Sequence, residues 1–335
     1  MFEYYKWHEK LPDESLEVYE PNLNLFFQIM YERQMIWKRR FLEGKERPWT
    51  DNAILSKYKF TNVYRELDRS SQWQIKHILL DSDLSLTNLI WKLMVYRFFN
   101  NPETFTNDLW RNGIPDYKEY NEDEFADFIQ SLRDKGLNPY TNAYLINSMA
   151  TPGKPRDYCY TRLVIPSLHK AIPHLIAVVK KAEKPEEIIA FLKTIPSVAD
   201  FIAHEFYQDF TYIPRYTDRE FMKFDQNDFT NVGPGASVGI RLIFPNLKGK
   251  EQKQGIYRLR DMAEKCLSNI GKEKGESFPY LHFDKAGGWY YVDSNCNITL
   301  HQIEMWLCEF QKYWKMTIGE GKQRSEFIPK TKTIK

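Results

Sequence analysis

The sequence predicts an all-α protein that carries one small β-hairpin, and three observations lead to this fold class. Apolar side chains recur at a spacing near 3.6 residues in Leu84–Asn100, which is the period of an amphipathic helix. Aromatic residues alternate loosely around turn residues in Tyr280–Val292, as expected for a hairpin. Strands do not alternate with helices along the chain, which argues against a parallel sheet of the dinucleotide-binding type.

The other elements are predicted from apolar spacing and capping residues. Leu23–Phe41 has apolar residues at helical spacing, and Asn121 can cap a helix that runs through Leu132. Thr299 and Gln302 form the pattern of a capping box ahead of the last helix. Further helices are predicted at Ile165–Ala182, from Pro185 through Phe191, at Ser197–Phe210, from Thr217 to near Phe224, from Ala236, at Tyr257–Ile270 and at Leu300–Met316.

Composition excludes several classes of protein. The 335 residues carry a net charge of +2, so any nucleic-acid surface must come from local clustering of charge. We expect neither a signal peptide nor a membrane span, because the N-terminus has no apolar run and no stretch of about 18 apolar residues stands out. Four widely spaced cysteines predict reduced thiols, which are typical of a cytoplasmic or nuclear protein. They are Cys159, Cys266, Cys296 and Cys308.

A glycine turn is the sharpest local signal. We expect a helix to end near Phe224, the chain to turn at Gly233 and Gly235, and a helix to begin at Ala236. The backbone amides of Gly235, Ala236 and Ser237 would then be free at a helix N-terminus, where a DNA phosphate can bind. An ordinary corner between two helices explains the spacing equally well.

The turn resembles the hairpin of helix-hairpin-helix DNA glycosylases, in which an apolar residue followed by Gly-x-Gly holds one backbone phosphate. This resemblance implies a glycosylase-like helical fold. Two features depart from the pattern: Ser237 stands close behind the glycines, where bifunctional glycosylases have a lysine, and Asp261 comes late for the usual catalytic aspartate. Ordinary base excision is therefore not expected.

A basic segment with interleaved aromatic residues runs from Arg33 to Arg69. It holds ten basic and five acidic residues. Such a mixture suits contact with a nucleic-acid backbone combined with stacking on bases. A solvated basic face over an aromatic core is the alternative, and the residues alone favour it. The aromatic residues of the segment are Trp37, Trp49, Tyr58, Phe60 and Tyr64.

The predicted last helix carries an unusual polar stripe. Glu304, Cys308 and Lys312 follow one another at intervals of four residues, with Glu309 alongside, next to residues of core type. An exposed ladder of ion pairs is the structural interpretation of this spacing. His301 with Glu304 would supply only two ligands, so no metal site is predicted.

Together these segments resemble one family, the helical domain of phage-type thymine-hypermodification enzymes. The family has been labelled alpha-glutamyl/putrescinyl thymine pyrophosphorylase and also the helical domain of 5-hydroxymethyluracil DNA kinases. The resemblance divides the chain into an N-terminal extension (1–24), a helical domain of one or two lobes (25–327) and a basic tail (328–335). The matching pieces are the Glu-Arg, Arg-Arg and Pro-Trp-Thr block before residue 51, the Phe60–Asp68 block, Asp209, the Gly-Pro-Gly-Ala turn, and the last helix with its Gly-x-Gly-x-x-Arg tail.

The resemblance implies an enzyme, or a subunit of one, that acts on a flipped 5-hydroxymethyluracil base or its phosphorylated form in double-stranded DNA. It would transfer an amine or amino acid, or handle the (pyro)phosphate. The implied catalytic residues are Asp68, Asp209, Glu304, Glu309 and Lys312. The implied DNA- and phosphate-binding residues are Arg39, Arg40, Asn62, Arg65, Gly233, Gly235, Ala236, Ser237 and Arg324.

Two alternatives remain open at this point: a non-catalytic DNA-binding module that partners a P-loop kinase, and an atypical DNA glycosylase. The sequence lacks the GxxxxGK[ST] phosphate loop, so kinase activity would require a separate P-loop domain. No cofactor is evident, although a phosphorylated substrate would bring Mg²⁺ with it. The resemblance also implies a virus-encoded protein that acts in the host cell.

Overall fold

The computed structural model describes residues 16–106, 113–141, 153–285, 288–321 and Glu326. The described chain is mostly helical and contains one antiparallel pair of strands. The elements up to residue 99 are α1 (Glu20–Trp37), α2 (Ala53–Lys57), α3 (Arg69–Gln74) and α4 (Leu86–Phe99). Those up to residue 216 are α5 (Pro102–Phe105), α6 (Glu122–Asp134), α7 (Arg156–Cys159), α8 (Ile165–Lys181), α9 (Pro185–Leu192) and α10 (Asp200–Tyr216). The remainder are α11 (Pro234–Ile243), α12 (Gln252–Lys274), β1 (Tyr280–Asp284), β2 (Gly288–Val292) and α13 (Leu300–Thr317).

The chain divides into two compact units. The first unit combines Met1–Arg65 with Val232–Lys335, and the second unit is Glu66–Asn231. Short π-helical turns continue α1 at Lys38–Leu42 and α3 at Ile75–Leu79. The fold class predicted from sequence, all-α with a β-hairpin, is thus confirmed.

The first unit is held together by an aromatic core and by two helices that approach very closely. Phe26 of α1 packs edge-on against Phe310 of α13, with ring centroids 5.6 Å apart. α11 lies against α13 along a face where a side chain has no room. A Cβ on Gly239 would lie 3.0 Å from the carbonyl carbon of Leu307 and closer still to its oxygen. Gly239 therefore permits contact between the two helix backbones.

The predicted capping box and hairpin of the first unit are both confirmed. The Thr299 side chain accepts from the backbone of the first helical turn, and the Gln302 side chain accepts from the Thr299 N–H at 2.7 Å. β1 pairs with β2 in a register that places Leu281 opposite Tyr291 and Phe283 opposite Trp289. α12 is longer than the predicted helix, Tyr257–Ile270. It ends before Gly275, whose φ of +69° is the left-handed conformation typical of a helix end.

The second unit is built around α4, which is apolar on nearly every side. Trp91 is fully buried, and its indole N–H donates to the Pro115 carbonyl at 2.8 Å. α8 and α10 pack against α4, and α9 packs against both α8 and α10. Most of the α10 residues are buried, including several polar ones, so this helix is also central to the unit.

The helix expected from Thr217 to near Phe224 is not formed, and this prediction is wrong. Residues 217–233, all of which the structure describes, contain no helix. Thr217 instead closes α10: its amide and hydroxyl both donate to the Ile213 carbonyl, and its hydroxyl accepts from the Arg219 amide. A threonine side chain can satisfy backbone groups at either end of a helix. The position of Thr217 in the sequence therefore does not show whether it begins a helix or ends one.

One helical run meets the criteria of length and composition for a membrane span, although none was expected from the sequence. Arg156–Lys181 has a mean hydropathy of 1.3 over its most apolar window, of which 33% is buried. Its buried side chains face α4 and α9. A core helix passes the same criteria, so the run is weak evidence for a membrane.

The contact between α11 and α13 makes a stability prediction. We expect Gly239→Ala to lower the free energy of unfolding by about 1–2 kcal/mol, because overpacking against a helix backbone outweighs the better helix propensity of alanine. Arg241→Ala, on the exposed side of the same helix, should change it by less than about 0.5 kcal/mol. Urea denaturation followed by circular dichroism measures both. Equal stability of Gly239→Ala and wild type would contradict the close packing.

Candidate functional site

The polar stripe predicted on the last helix is present on α13 in the first unit. Glu304, Cys308 and Lys312 are each partly exposed, whereas Leu307 and Phe310 on the neighbouring face are buried. The stripe therefore runs along the edge of the core, where charged groups keep contact with water while apolar neighbours fix the helix. This is a suitable position for side chains that must meet a polar ligand.

The glycine turn packs against this stripe. The Gly233 amide donates to Glu304 Oε1 at 3.2 Å. A Cβ on Gly233 would lie 3.1 Å from the same oxygen, and a Cβ on Gly235 would lie 3.0 Å from Cys308 Sγ. These two glycines thus allow the backbone of the turn to approach α13 closely.

A carboxylate already occupies part of the N-terminus of α11. Gly233 is the N-cap residue of this helix, and the Glu304 carboxylate accepts its amide. The expectation that the Ser237 amide is free is wrong, because it donates to the Gly233 carbonyl at 2.8 Å as an ordinary helical bond. The Ser237 hydroxyl donates to Gln252 at 2.9 Å, and Ala236 is fully buried. A helix N-terminus favours negative charge, so Glu304 stands where a phosphate was expected.

Glu309 and Lys312 of α13 contact the loop around Phe60. Lys312 Nζ lies 2.6 Å from Glu309 Oε2 and donates to the Lys59 carbonyl at 3.2 Å. It also lies 4.4 Å from the centroid of the Phe60 ring, a cation–π contact. Glu309 in turn accepts from the Thr61 amide at 3.4 Å. The structure thus joins two sequence blocks that are far apart along the chain.

Several predicted DNA-binding residues of this unit make internal contacts. Asn62 is buried and accepts from Arg33 Nη2 at 2.7 Å. Arg39 forms an ion pair with Glu32 at 2.9 Å and donates to the Trp49 carbonyl at 2.6 Å. Phe60 and Tyr64, two of the aromatic residues proposed for base stacking, are buried in the core. This part of the basic segment therefore matches the core interpretation.

Arg40 is partly exposed, as Arg39 is, and its guanidinium lies 5.0 Å from the centroid of the Trp49 ring. Arg65 begins the short 3₁₀ turn Arg65–Leu67 and is partly exposed. Arg324 lies outside the described residues.

Asp209, in the second unit, belongs to a buried network of charges. Arg97 donates to both carboxylate oxygens of Asp209, through Nε at 2.8 Å and through Nη2. Arg97 Nη1 also lies 3.2 Å from Glu205, and Gln74 accepts from Arg97 at 3.3 Å. Burial raises the pKa of Asp209, and the Arg97 guanidinium opposes that rise. Asp209 has no exposed surface, so a substrate reaches it only after a rearrangement.

Sequence reasoning did not find the partners of Asp209, nor a further buried carboxylate, Glu66. Glu66 is fully buried and pairs with Arg215 at 2.8 Å. Asp68 is the residue before α3 and is partly exposed. Arg97 does leave a signal in the sequence, because it interrupts the apolar run of α4, and a charge in such a run requires a buried partner. Glu66 leaves no comparable signal.

Among the described residues, no group of three or more His, Cys, Asp or Glu side chains is arranged to hold a metal ion. The four cysteines, all in described segments, form no disulfide.

The fold and these contacts define a class of mostly helical protein in which a glycine turn packs against a polar helix stripe. The model of the family described as 5-hmdU DNA kinase, helical domain, matches residues 20–323, so the chain belongs to this family. It is 28% identical over 300 residues to a 5-hmdU DNA kinase of Bacillus phage SP10. The alignment covers 87% of this chain and 44% of that relative, so the chain spans less than half of the relative's length. No solved structure matches the chain.

The buried network of the second unit makes a second stability prediction. Arg97→Met should lower the free energy of unfolding by about 3–5 kcal/mol, because it leaves two buried carboxylates without their cation. Arg133→Met is the control: it breaks an arginine–carboxylate pair with Asp157 in which the arginine side chain is 36% exposed, so it should cost less than about 1 kcal/mol. Chemical denaturation measures both. Similar losses in the two variants would show that the Arg97 network is not the main support of this unit.

Proposed function

We propose that this chain is the DNA-recognising helical part of an enzyme system that modifies 5-hydroxymethyluracil in DNA. The observation that carries the proposal is the family match, which extends over nearly all of the described chain. The relative is named a 5-hmdU DNA kinase, and more than half of its length lies outside the alignment. We infer that phosphoryl transfer requires a P-loop unit, since the sequence has no GxxxxGK[ST] loop.

In this proposal the chain binds double-stranded DNA and presents the modified base to the partner kinase. The hydroxymethyl group of a paired base is stacked within the duplex, and enzymes that do chemistry on a base take it out of the stack. Any Mg²⁺ enters with the nucleotide or with the phosphorylated substrate. Because the relative comes from a phage, we propose a virus-encoded protein that acts inside the host cell.

Binding to three duplexes tests the proposal: one with thymine, one with 5-hydroxymethyluracil and one with its phosphorylated form at a single site. We expect at least one modified duplex to bind about tenfold more tightly than the thymine duplex, since one good polar contact to the extra group is worth about 1–2 kcal/mol. Fluorescence anisotropy measures the affinities. Equal affinity for all three would contradict recognition of the modified base.

Incubation of the modified duplex with this chain and a nucleoside triphosphate tests the division of labour. We expect no phosphorylated nucleoside by mass spectrometry until a P-loop kinase is added. Phosphorylation by the chain alone would show that the catalytic phosphate site lies within these 335 residues.

A second candidate function is transfer of an amine or amino acid to an activated base, as in the pyrophosphorylase label of the family. The carboxylates and the lysine of α13 favour it. Glu309 and Lys312 are in contact, and Glu304 lies on the same helix face, one turn below Cys308. A base that activates an amine and a cation that accepts a departing phosphate are the groups this reaction needs.

Variants of α13 test this second candidate. Glu304→Gln and Lys312→Met should each lower turnover of phosphorylated 5-hydroxymethyluracil DNA by about 10²–10³-fold, with DNA affinity nearly unchanged, because such groups act on charge that develops in the transition state. Lys315→Met is the matched control on the same helix. Nucleoside mass spectrometry measures product in the presence of an amino-acid mixture. If Lys312→Met and Lys315→Met behave alike, the α13 stripe is structural.

A further inference from the structure

The tertiary structure joins two distant segments into a row of aromatic rings on the first unit. We call this row the aromatic strip: Trp37, Phe41, Trp49, Trp289 and Tyr291. Trp37 lies 5.6 Å from Phe41 and 5.0 Å from Tyr291, between ring centroids. Phe41 is 52% exposed, which is a large fraction for an aromatic ring, so the strip is open to solvent at this point.

The hairpin contributes one of its two faces to the strip. Side chains alternate between the faces of a strand, so Trp289 and Tyr291 of β2 project to one side and Tyr290 projects to the other. Trp289 is supported by Phe283 on the paired strand, with ring centroids 5.1 Å apart. Tyr290 is 47% exposed and stacks on His282 on the opposite face. The hairpin therefore offers partly exposed aromatic rings within the strip and one exposed ring, Tyr290, outside it.

Positive charge borders the strip at its other end. The guanidinium of Arg40 lies 4.6 Å from the Phe41 ring and 5.0 Å from the Trp49 ring, and that of Arg47 lies 5.3 Å from Trp49. Two positively charged guanidinium groups thus contact the same indole ring, that of Trp49. Burial and the neighbouring Arg47 lower the pKa of Arg40. An anion next to these guanidiniums would relieve their repulsion.

Several lysines and arginines nearby already make contacts within the protein, and Arg47 itself donates to the Ser56 carbonyl at 3.3 Å. Lys38 forms an ion pair with Glu276 at 2.6 Å, and Lys45 pairs with Glu43 at 2.7 Å. Residues 38–49 nevertheless hold five basic and two acidic residues. The strip is therefore an aromatic surface in a cationic setting, whereas a surface built for an apolar protein partner has its charges depleted at the centre.

We propose that the aromatic strip binds unpaired DNA bases by stacking, and that Arg40 and Arg47 contact the phosphates of the same single-stranded segment. The inference rests on the proposed function in so far as the ligand is DNA. Exposed ring faces bordered by guanidiniums are the recurring design of surfaces that bind single strands. In a duplex the bases already stack on one another, so ring faces have nothing to stack on until a base leaves the helix.

Binding of a fluorescein-labelled 12-nucleotide oligothymidine, measured by anisotropy, tests the strip in the full chain. Phe41→Ala and Trp289→Ala should each weaken binding about tenfold with an unchanged salt dependence, because each removes a stacking ring and no charge. Arg40→Gln should make the slope of log affinity against log salt shallower by about 0.7, the value for one lost phosphate contact on a single strand. Tyr290→Ala, on the other face of the same hairpin, is the matched control and should bind like wild type.

Circular dichroism and thermal melting accompany each variant, and Phe41→Ala is the decisive one because its ring is more than half exposed. Wild-type affinity in both Phe41→Ala and Arg40→Gln would overturn the proposal, as would equal weakening by Tyr290→Ala. Loss of a dimer in Phe41→Ala, seen by light scattering without loss of oligothymidine binding, would show that a second copy covers the strip. A chain that prefers modified duplexes but binds oligothymidine identically in all variants would refute the strip and leave the proposed function standing.

Discussion

The first unit depends on the contact between α11 and α13, where α11 touches the α13 backbone at one point and α13 side chains at another. Gly239 has no side chain at its closest approach to the Leu307 backbone, and Gly233 and Gly235, at the start of α11, lie against the side chains of Glu304 and Cys308. This contact places the Glu304 carboxylate at the α11 N-terminus, where it accepts a hydrogen bond from the Gly233 amide. Glycine is required here by crowding between helices, a different reason from the tight turn that the sequence indicates.

The charged residues described in the two units differ in how deeply they are buried. Arg97, Asp209 and Glu205 are almost wholly removed from water, and such networks are retained only when each charge has its partner. Glu309 and Lys312 lie at the edge of a core, where a polar ligand can meet them without the unit unfolding. The carboxylates that the family resemblance implies to be catalytic therefore differ in burial: Asp209 is buried, whereas Glu309 is partly exposed.

The strongest sequence predictions were those that rest on local physics. The hairpin at β1 and β2 and the Thr299 capping box depend on residues a few positions apart, so both are readable from the chain. The prediction of a helix that begins at Thr217 was wrong because a threonine hydroxyl can cap either end of a helix. In the basic segment, Phe60 and Tyr64 belong to the core, whereas Arg40 and Trp49 are partly exposed. Contact between this segment and DNA stays a prediction.

The sequence by itself determined the helical class, the hairpin, the polar stripe of α13 and the family, because periodicity, capping and motif spacing are properties of neighbouring residues. Only the tertiary structure decided which surface the glycines approach, where Asp209 is buried, and that Trp37 meets Tyr291. These facts depend on contacts between residues far apart in the chain, such as the 5.0 Å between those two rings. Burial and long-range proximity are set by packing of the whole unit, which no local pattern encodes.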